Sequence, residues 1–535
     1  MQKYFYERGN FTNFKSNITY HRLLSMTDAE FVVWVKNLRH EMVTQWDTNG
    51  NPPVVGRDEA NIIKALKKLK DNNCDFLSKD KSDDETSLGI LKNFNKDASP
   101  VNQFFPTMMK TKIATGKSID TALSIYDYFA DPAMEGRFIN LMKRVVRRDA
   151  MYSWSRTLVH DRDKNPFWNA QSPVDFIQDV HEGRIFNGEW SNCGIFIAKH
   201  KEKSTDDSSS LRLTADEVRT CVSNGWLTHS QTSNVDSIVP TMTLKSGKVN
   251  HYSYLIRWYE KDTPLFPKIH QVFKLSCGQP AVNFPALTAK WLYETHTNHI
   301  KSDEVATIYD SSAGWGGRII GAMSSRRKIH YVGTDPNSDN LIDDLGISRY
   351  EYVADFYNQN CLTDGGEVLS KFFKQDTSHN TYDIFNLGSE VISQESSFQK
   401  YKGKLDLAFT SPPYFNRERY GEKDTGQSWD NFRQYDTWRD EFLRPTLTTI
   451  YEYLASDRYI LWNIADIKIG KDLYYPLEQD SIDIIQSLGG VYTGKYKMLM
   501  TNMIGVDASS TSVKNTVKFN TKWYKYEPIF CFHKK

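Results

Sequence analysis

Two short stretches of this 535-residue chain carry residue types that could do chemistry together. The first is Ser411-Pro412-Pro413-Tyr414, which follows the apolar run at 406–410. Proline fixes φ and has no N–H, so the two prolines leave rigid carbonyl acceptors. Ser411 adds a hydroxyl and Tyr414 a ring face. Two acceptors beside a stacking face suit a planar base bearing an amino group. The bland alternative is a proline-rich strand exit with a core tyrosine, which a lone S-P-P-Y usually is.

The second stretch is YDSSAGWGGRI, residues 309–319. Gly314, Gly316 and Gly317 permit a tight turn and the close approach of a ligand to backbone. The helix start that follows offers free N–H groups. Asp335 lies 21 residues beyond Gly314, at the end of the next apolar run. In a doubly wound fold an acid there reaches the ribose hydroxyls of a nucleoside cofactor. The dinucleotide fingerprint is not met, because position 319 is Ile, and no G-K-[ST] follows to make a P-loop. A strand–turn–helix that merely needs glycines is the competing reading.

These residues need strands to hold them. From residue 266 onward, strand-like runs at 305–310, 328–335, 381–388, 405–410 and 458–466 alternate with helix-like segments. Near-continuous apolar strands between helices indicate a mostly parallel sheet covered on both faces, so residues 266–535 read as an α/β domain. A helix is expected over 438–455, kinked at Pro445, with a capping box from Thr437 to Asp440. Residues 1–265 read as a separate region, mixed and helix-leaning. Helices are expected at 61–70 and over 137–156, with a charged break at 79–87 and a linker at 199–210.

Composition narrows the class. The net charge of +1 gives no global nucleic-acid footprint, so DNA binding would rest on local patches. The six cysteines are scattered without a C-x-x-C pair, which argues against a disulfide scaffold or a cysteine zinc site. His296 and His299 lack a completing ligand and read as a solvated helix face, so no metal is expected. No signal peptide or membrane span is apparent, and a cytoplasmic protein is the default.

The motif S-P-P-Y resembles the [DNS]-P-P-[YFW] of the S-adenosylmethionine-dependent DNA amino-methyltransferases of bacteria and phages. The loop from Asp310 to Gly316 is similar to that family's cofactor loop. The usual D-P-F-x-G-S-G reads D-S-S-A-G-W-G here, with Ser311 and Ser312 replacing proline and phenylalanine. The segment 278–297 resembles a cofactor-flanking motif with Asn283–Pro285 at its tip, and 522–534 resembles the final strand. The resemblance covers about residues 270–535.

It implies a Rossmann-like methyltransferase fold with a seven-stranded sheet, S-adenosyl-L-methionine as cofactor and double-stranded DNA as partner. It also implies DNA modification of the restriction–modification kind. Ser411 and the Pro412 carbonyl, on the rigid Pro412-Pro413 turn, would accept from the amino group of a flipped base, and Tyr414 would stack on it. Asp310 and the loop Ala313, Gly314, Gly316 and Gly317 would hold the methionine part. Asp335 would hold the ribose, Ser389 would border the adenine, and Phe284 would flank the cofactor. No strong general base is required. Serine at the first motif position leans toward cytosine over adenine.

The short spacing between loop and motif leaves residues 1–265 as the expected target-recognition region. Arg137, Lys143, Arg144, Arg147 and Arg148 on the basic helix are candidate phosphate contacts, as are Arg417 and Arg419 after the motif; an ordinary surface is the alternative for each. An RNA or protein methyltransferase of the same fold, or a catalytically silent DNA-binding subunit, are the competing functions.

Overall fold

The computed structural model describes residues 27–50, 59–72, 76–92, 99–114, 118–144, 174–175, 178, 182, 193–201, 212–213, 215–226, 241–243, 249–260, 269–362, 380–421, 426–470, 473–502 and 514–535. The chain forms two compact units, one of residues 1–8, 50–127 and 277–535 and the other of residues 9–49 and 128–276. The expected division at 265/266 therefore differs from the observed one. The reason lies in the apolar residues of 59–114: Ile62, Leu66, Leu69, Phe104 and Phe105 share one core with Ile308, Ile320 and Tyr350. A segment that supplies core to the sheet cannot be a domain of its own.

The larger unit is built from α1 (Glu59–Asp71), β1 (Leu77–Ser78), β2 (Ser87–Leu91), α2 (Ala286–His296), β3 (Ala306–Asp310), α3 (Gly317–Met323), β4 (Ile329–Thr334), α4 (Arg349–Cys361), β5 (Thr381–Phe385), β6 (Leu405–Thr410), α5 (Arg444–Tyr453), β7 (Leu454–Asn463), α6 (Leu477–Ser487), β8 (Gly490–Asn502), β9 (Thr516–Phe519) and β10 (Lys522–Lys534). One sheet runs β1-β2-β8-β10-β7-β6-β3-β4-β5, with β9 on β10. The pairs from β5 through β7 are parallel, and β10 is antiparallel to both β7 and β8. This is the expected Rossmann-like α/β sheet, mostly parallel and doubly wound. Its seven central strands are lengthened at the β8 edge by β2, parallel to β8, and by β1.

Side chains alternate across the strands, as a sheet packed on both faces requires. Leu407 and Phe409 of β6, Ile308 of β3 and Leu461 of β7 enter one core with α1 to α4. Leu405 and Ala408, Tyr309, and Ile460 and Trp462 enter the other with α5 and α6.

Polar residues fix the joints. Ser348 and Glu351 form a reciprocal capping box that starts α4. Buried Lys290 on α2 donates to the Leu69 and Lys70 carbonyls at 2.8 and 2.7 Å, capping the C-terminus of α1 with a positive charge. The charged stretch at 79–87 is more than a break. Its Asp80 and Asp84 lie 2.7 and 2.9 Å from Lys497 of β8, which is 4% exposed. The expected Thr437 cap does not form. Instead Trp438–Leu443 is a π-helical stretch running into α5, with Pro445 in the first turn where its missing N–H costs least.

The smaller unit contains the helices Asp28–Asn49, Glu135–Arg144 and Ala215–Ser223 and an antiparallel sheet around the long strand Val249–Glu260. It is thus mixed, with both helices and strands. Phe129, Phe138 and Phe273 gather around Tyr128, with centroids 5.5 to 6.0 Å from its ring. Of the basic helix expected over 137–148, Arg137 is exposed and Lys143 lies 3.3 Å from Asp28, while Arg147 and Arg148 fall outside the described residues, as does most of the expected linker at 199–210.

Candidate active site

The chain leaves β3 for β4 and β5 on one side, then returns to place β6 and β7 on the other. The carboxyl ends of β3 and β6 therefore flank the point where strand order reverses, where open α/β sheets bind ligands. The loops at 311–316 and 411–414 leave from those two ends. Two adjoining cavities lie against them. One is bordered by Ser312, Gly314, Asp335, Ser389, Ser411 and Pro413. The other is bordered by Phe284, Ser411, Pro412, Tyr414, Glu418 and Glu527. Gly314, Trp315, Ser411 and Tyr420 border both. The glycine turn, Asp335 and the S-P-P-Y segment thus meet in one place.

Not every expected residue faces a cavity. Asp310 is fully buried and borders neither. Its Oδ2 accepts from Arg318 Nε at 2.7 Å and from the Tyr331 hydroxyl at 2.6 Å. Its Oδ1 accepts from Thr410 Oγ1 at 2.8 Å and from the Ser312 N–H at 3.2 Å. With both oxygens engaged, Asp310 has no lone pair aimed at a methionine part. It fixes the loop from behind and ties the end of β6 to the end of β3. Burial alone would lower the Arg318 guanidinium, but the adjacent Asp310 charge holds it above its ordinary value. Arg318 also donates to the Ser312 carbonyl.

Ala313 is likewise behind the loop, its N–H bonded to the Thr334 carbonyl at 2.9 Å. Gly316 has φ 75° and starts α3, and a Cβ there would lie 2.5 Å from the Phe105 ring. A Cβ on Gly317 would collide with the Phe284 carbonyl. These two glycines serve chain against chain, not chain against ligand. Asn283 Nδ2 donates to the Trp315 carbonyl at 2.7 Å, which seats segment 283–285 against the turn. Phe284 borders the Tyr414 side, not the Asp335 side, and meets Phe409 edge-on at 5.2 Å.

Gly314, Asp335 and Ser389 do border the first cavity. Gly314 has φ 63°, in the left-handed region that glycine enters without strain. Its N–H donates to Asp335 Oδ2 at 2.9 Å, and the Asn337 N–H donates to Oδ1 at 3.1 Å. Burial pushes the Asp335 carboxyl up to about 6 against the lowering effect of those two N–H groups and of the Tyr350 hydroxyl. The Ser389 hydroxyl is bonded to Thr446 at 2.8 Å.

On the Tyr414 side, burial raises the phenol of Tyr414 well above its ordinary value, helped by the charges of Glu527 and Glu418. The segment after the motif is pinned to the N-terminal part of the same unit: Glu418–Arg419 pairs antiparallel with Lys112–Ile113. Arg417 borders the cavity and donates to the Ala114 carbonyl, and Arg419 lies 4.0 Å from Asp430. His296 sits half-buried against Tyr496, its Nε2 3.1 Å from the hydroxyl, rather than on a solvated face. Among the described residues no three His, Cys, Asp or Glu side chains are grouped to hold a metal, and no helix is long and apolar enough to cross a membrane.

Sequence reasoning passed over Trp315, Tyr420, Glu418, Glu527 and Asn463. Trp315 stood inside the glycine turn and could have been singled out as the one large residue there. Its ring lies 5.5 Å from that of Tyr420, between the two cavities. The others carried no local signal.

Residues 405–535 match the family model described as DNA methylase, of the N6/N4 type. No curated protein matches the chain. Among solved structures, a Thermus thermophilus protein assigned as a DNA modification methylase, crystallised with S-adenosyl-L-methionine, is 20% identical over 27% of this chain, with a TM-score of 0.18. The match spans about half of that protein's length (52%). A Pyrococcus horikoshii protein assigned as an RNA methyltransferase is 11% identical over 46% of this chain and 81% of its own, TM-score 0.24. An S-adenosylmethionine-dependent O-methyltransferase of Thermotoga maritima is 10% identical over 55% and 77%, TM-score 0.26. Scores this low leave the strand order as the ground for the fold. The segment similar to the N6/N4 DNA methylases runs from β6 through β10 and carries Ser411 to Tyr414 near its start.

Proposed function

We propose that this protein is a DNA amino-methyltransferase that uses S-adenosyl-L-methionine, with cytosine favoured over adenine as the target. The observation that carries this reading is the position of Ser411, Gly314 and Trp315, each of which borders both cavities. A cofactor in one and a base in the other would meet at Ser411.

The residues fit the cofactor. Asp335 borders the first cavity as an acceptor for the ribose hydroxyls, Ser389 and Glu390 border the same space, and Gly314 lets the backbone approach without a side chain in the way. When bound, S-adenosyl-L-methionine supplies a methyl group on a positively charged sulfur.

The chain's own part is positioning. Ser411 and the Pro412 carbonyl accept from the exocyclic amino group and leave its nitrogen lone pair directed at the neighbouring cavity. Tyr414 offers its ring to the base, a contact worth about 1–3 kcal/mol where aromatic side chains stack on bases. Trp315 and Tyr420, with rings 5.5 Å apart, stand beside the junction. Orientation and fixed dipoles carry the rate. The smaller unit, together with the basic helix Glu135–Arg144, is the proposed target reader.

The test is incubation of the purified chain with tritiated cofactor and, separately, unmethylated duplex DNA, RNA and protein extract. The expected result is label in DNA alone, recovered as N4-methylcytosine after digestion to nucleosides. N6-methyladenine would reverse the base preference. Label only in RNA or protein would replace the DNA reading, and cofactor binding without any transfer would replace catalysis with a binding role.

A further inference from the structure

The Tyr414 cavity holds polar groups that the amino-methylation reading leaves unused. Asn463 closes β7 and is fully buried. Its Nδ2 donates to the Pro528 carbonyl at 3.0 Å, while its Oδ1 has no partner. A carbonyl only accepts, so the amide cannot turn over without losing that bond. A buried acceptor without a donor is costly, and it borders the cavity. It therefore marks a place where a donor is wanted.

Glu527, next to Pro528 on β10, borders the same cavity. So does Glu418, which accepts from the Tyr420 hydroxyl. Two carboxyls bordering one cavity do not ionise together easily. Burial raises the Glu418 carboxyl as well, against the opposing Tyr420 bond and Arg417 charge, and the Tyr420 bond favours the charge on Glu418 over that on Glu527. Burial pushes Glu527 up to about 7, the Glu418 charge adds to this, and Arg417 and Asn463 oppose it. Near neutrality Glu527 thus keeps a hydroxyl donor and a carbonyl acceptor.

Cytosine and adenine share one feature: a ring nitrogen acceptor beside the amino group. Guanine and thymine carry a ring N–H facing that edge, next to a carbonyl. We propose that Glu527 is a base-reading residue, its carboxylic O–H donating to the ring nitrogen next to the amino group, with one amino N–H shared between Asn463 Oδ1 and the Pro412 carbonyl and the other held by Ser411. This rests on the amino-methylation reading. It assigns base choice to a residue 116 positions beyond Ser411 in the chain. Guanine and thymine carry a carbonyl where the amino group would stand, which would face Asn463 Oδ1 acceptor to acceptor and leave it unpaired.

The experiment uses the full chain and its Glu527→Gln, Glu527→Leu and Glu418→Gln variants. Single-turnover transfer of tritiated methyl to unmethylated plasmid DNA is followed from acid to alkaline pH, with melting and cofactor binding as checks on folding. The wild-type rate is expected to fall as pH rises through about 7, where Glu527 gives up its proton. Glu527→Gln keeps an N–H donor in place of the O–H and is expected to rescue transfer with a flat profile. Glu527→Leu is expected to lose about 100-fold, as for a lost pair of base-edge hydrogen bonds, with cofactor affinity retained. Glu418→Gln removes the neighbouring charge and is expected to move the fall in rate to lower pH. A Glu527→Gln variant as slow as Glu527→Leu would overturn the proposal, since the working form would then be the carboxylate. So would a folded Glu527→Leu variant as fast as wild type. No label in DNA from the wild type would remove the amino-methylation reading, and this proposal with it.

Discussion

The two loops at the strand-order reversal are built in opposite ways. The loop after β3 is glycine-rich and held from behind by charge: Asp310 and Arg318, both buried, bind Tyr331, Thr410 and the loop backbone. The loop after β6 is proline-rich and held by its own ring constraints, and Ser411 to Tyr414 all border the cavities. The first spends its side chains on support and presents backbone. The second spends its backbone on stiffness and presents Ser411 and Tyr414. Support and contact are therefore separable in this site, and substitutions should fall into two classes.

The largest effect expected is on the support side. Asp310→Ala leaves the Arg318 guanidinium buried without its partner and is expected to lower stability by about 3–5 kcal/mol, read by urea unfolding. If Asp310→Ala keeps its stability but loses cofactor affinity, the division into support and contact breaks down. On the contact side, Ser411→Ala is expected to slow single-turnover methyl transfer by about 10²–10³-fold, the size seen when one preorganised polar group is removed from a reacting centre. Its unfolding midpoint should stay close to wild type. Asp335→Asn removes an anionic acceptor while keeping its shape. Cofactor affinity is expected to fall by about tenfold in calorimetric titration, near the low end for a charge-assisted hydrogen bond.

The smallest effect is on pH dependence, and it sharpens the comparison because its two parts have opposite sign. The Asp335 carboxyl titrates near 6 in the folded chain, above its unfolded value. The folded state therefore binds the extra proton, and stability of the cofactor-free protein falls as pH rises from the unfolded value through about 6. Cofactor affinity should rise over the same window, since the carboxylate is the better acceptor for ribose hydroxyls. Melting scans and titrations across that window, with Asp335→Asn flattening both, check the assignment.

Legibility differed by the range of the physics involved. The run 405–410 is β6 and 522–534 is β10 in the structure, because apolar strands between turn residues leave a local mark. The helix within 61–70 was legible from Ile62, Leu66 and Leu69, all buried in α1. Its place was not: nothing local says that this helix packs on α4 or that Lys290 caps its end. The strands β1 and β2 hid in and beside a charged stretch whose aspartates answer to Lys497, more than 400 residues away.

The sequence alone determined residue types and local geometry: where glycine could turn, where proline must stiffen, and which runs could be strands. Tertiary structure decided which of them meet. Thr410 and Asp310 stand 100 residues apart in the chain and 2.8 Å apart in space, because burial of both faces of the sheet sets β6 beside β3. The same packing turned Asp310 inward to Arg318 while leaving Asp335 open to a cavity, and carried Glu527 to Tyr414. Backbone propensity acts over a few residues, whereas strand order is set by apolar surface that distant segments bury together.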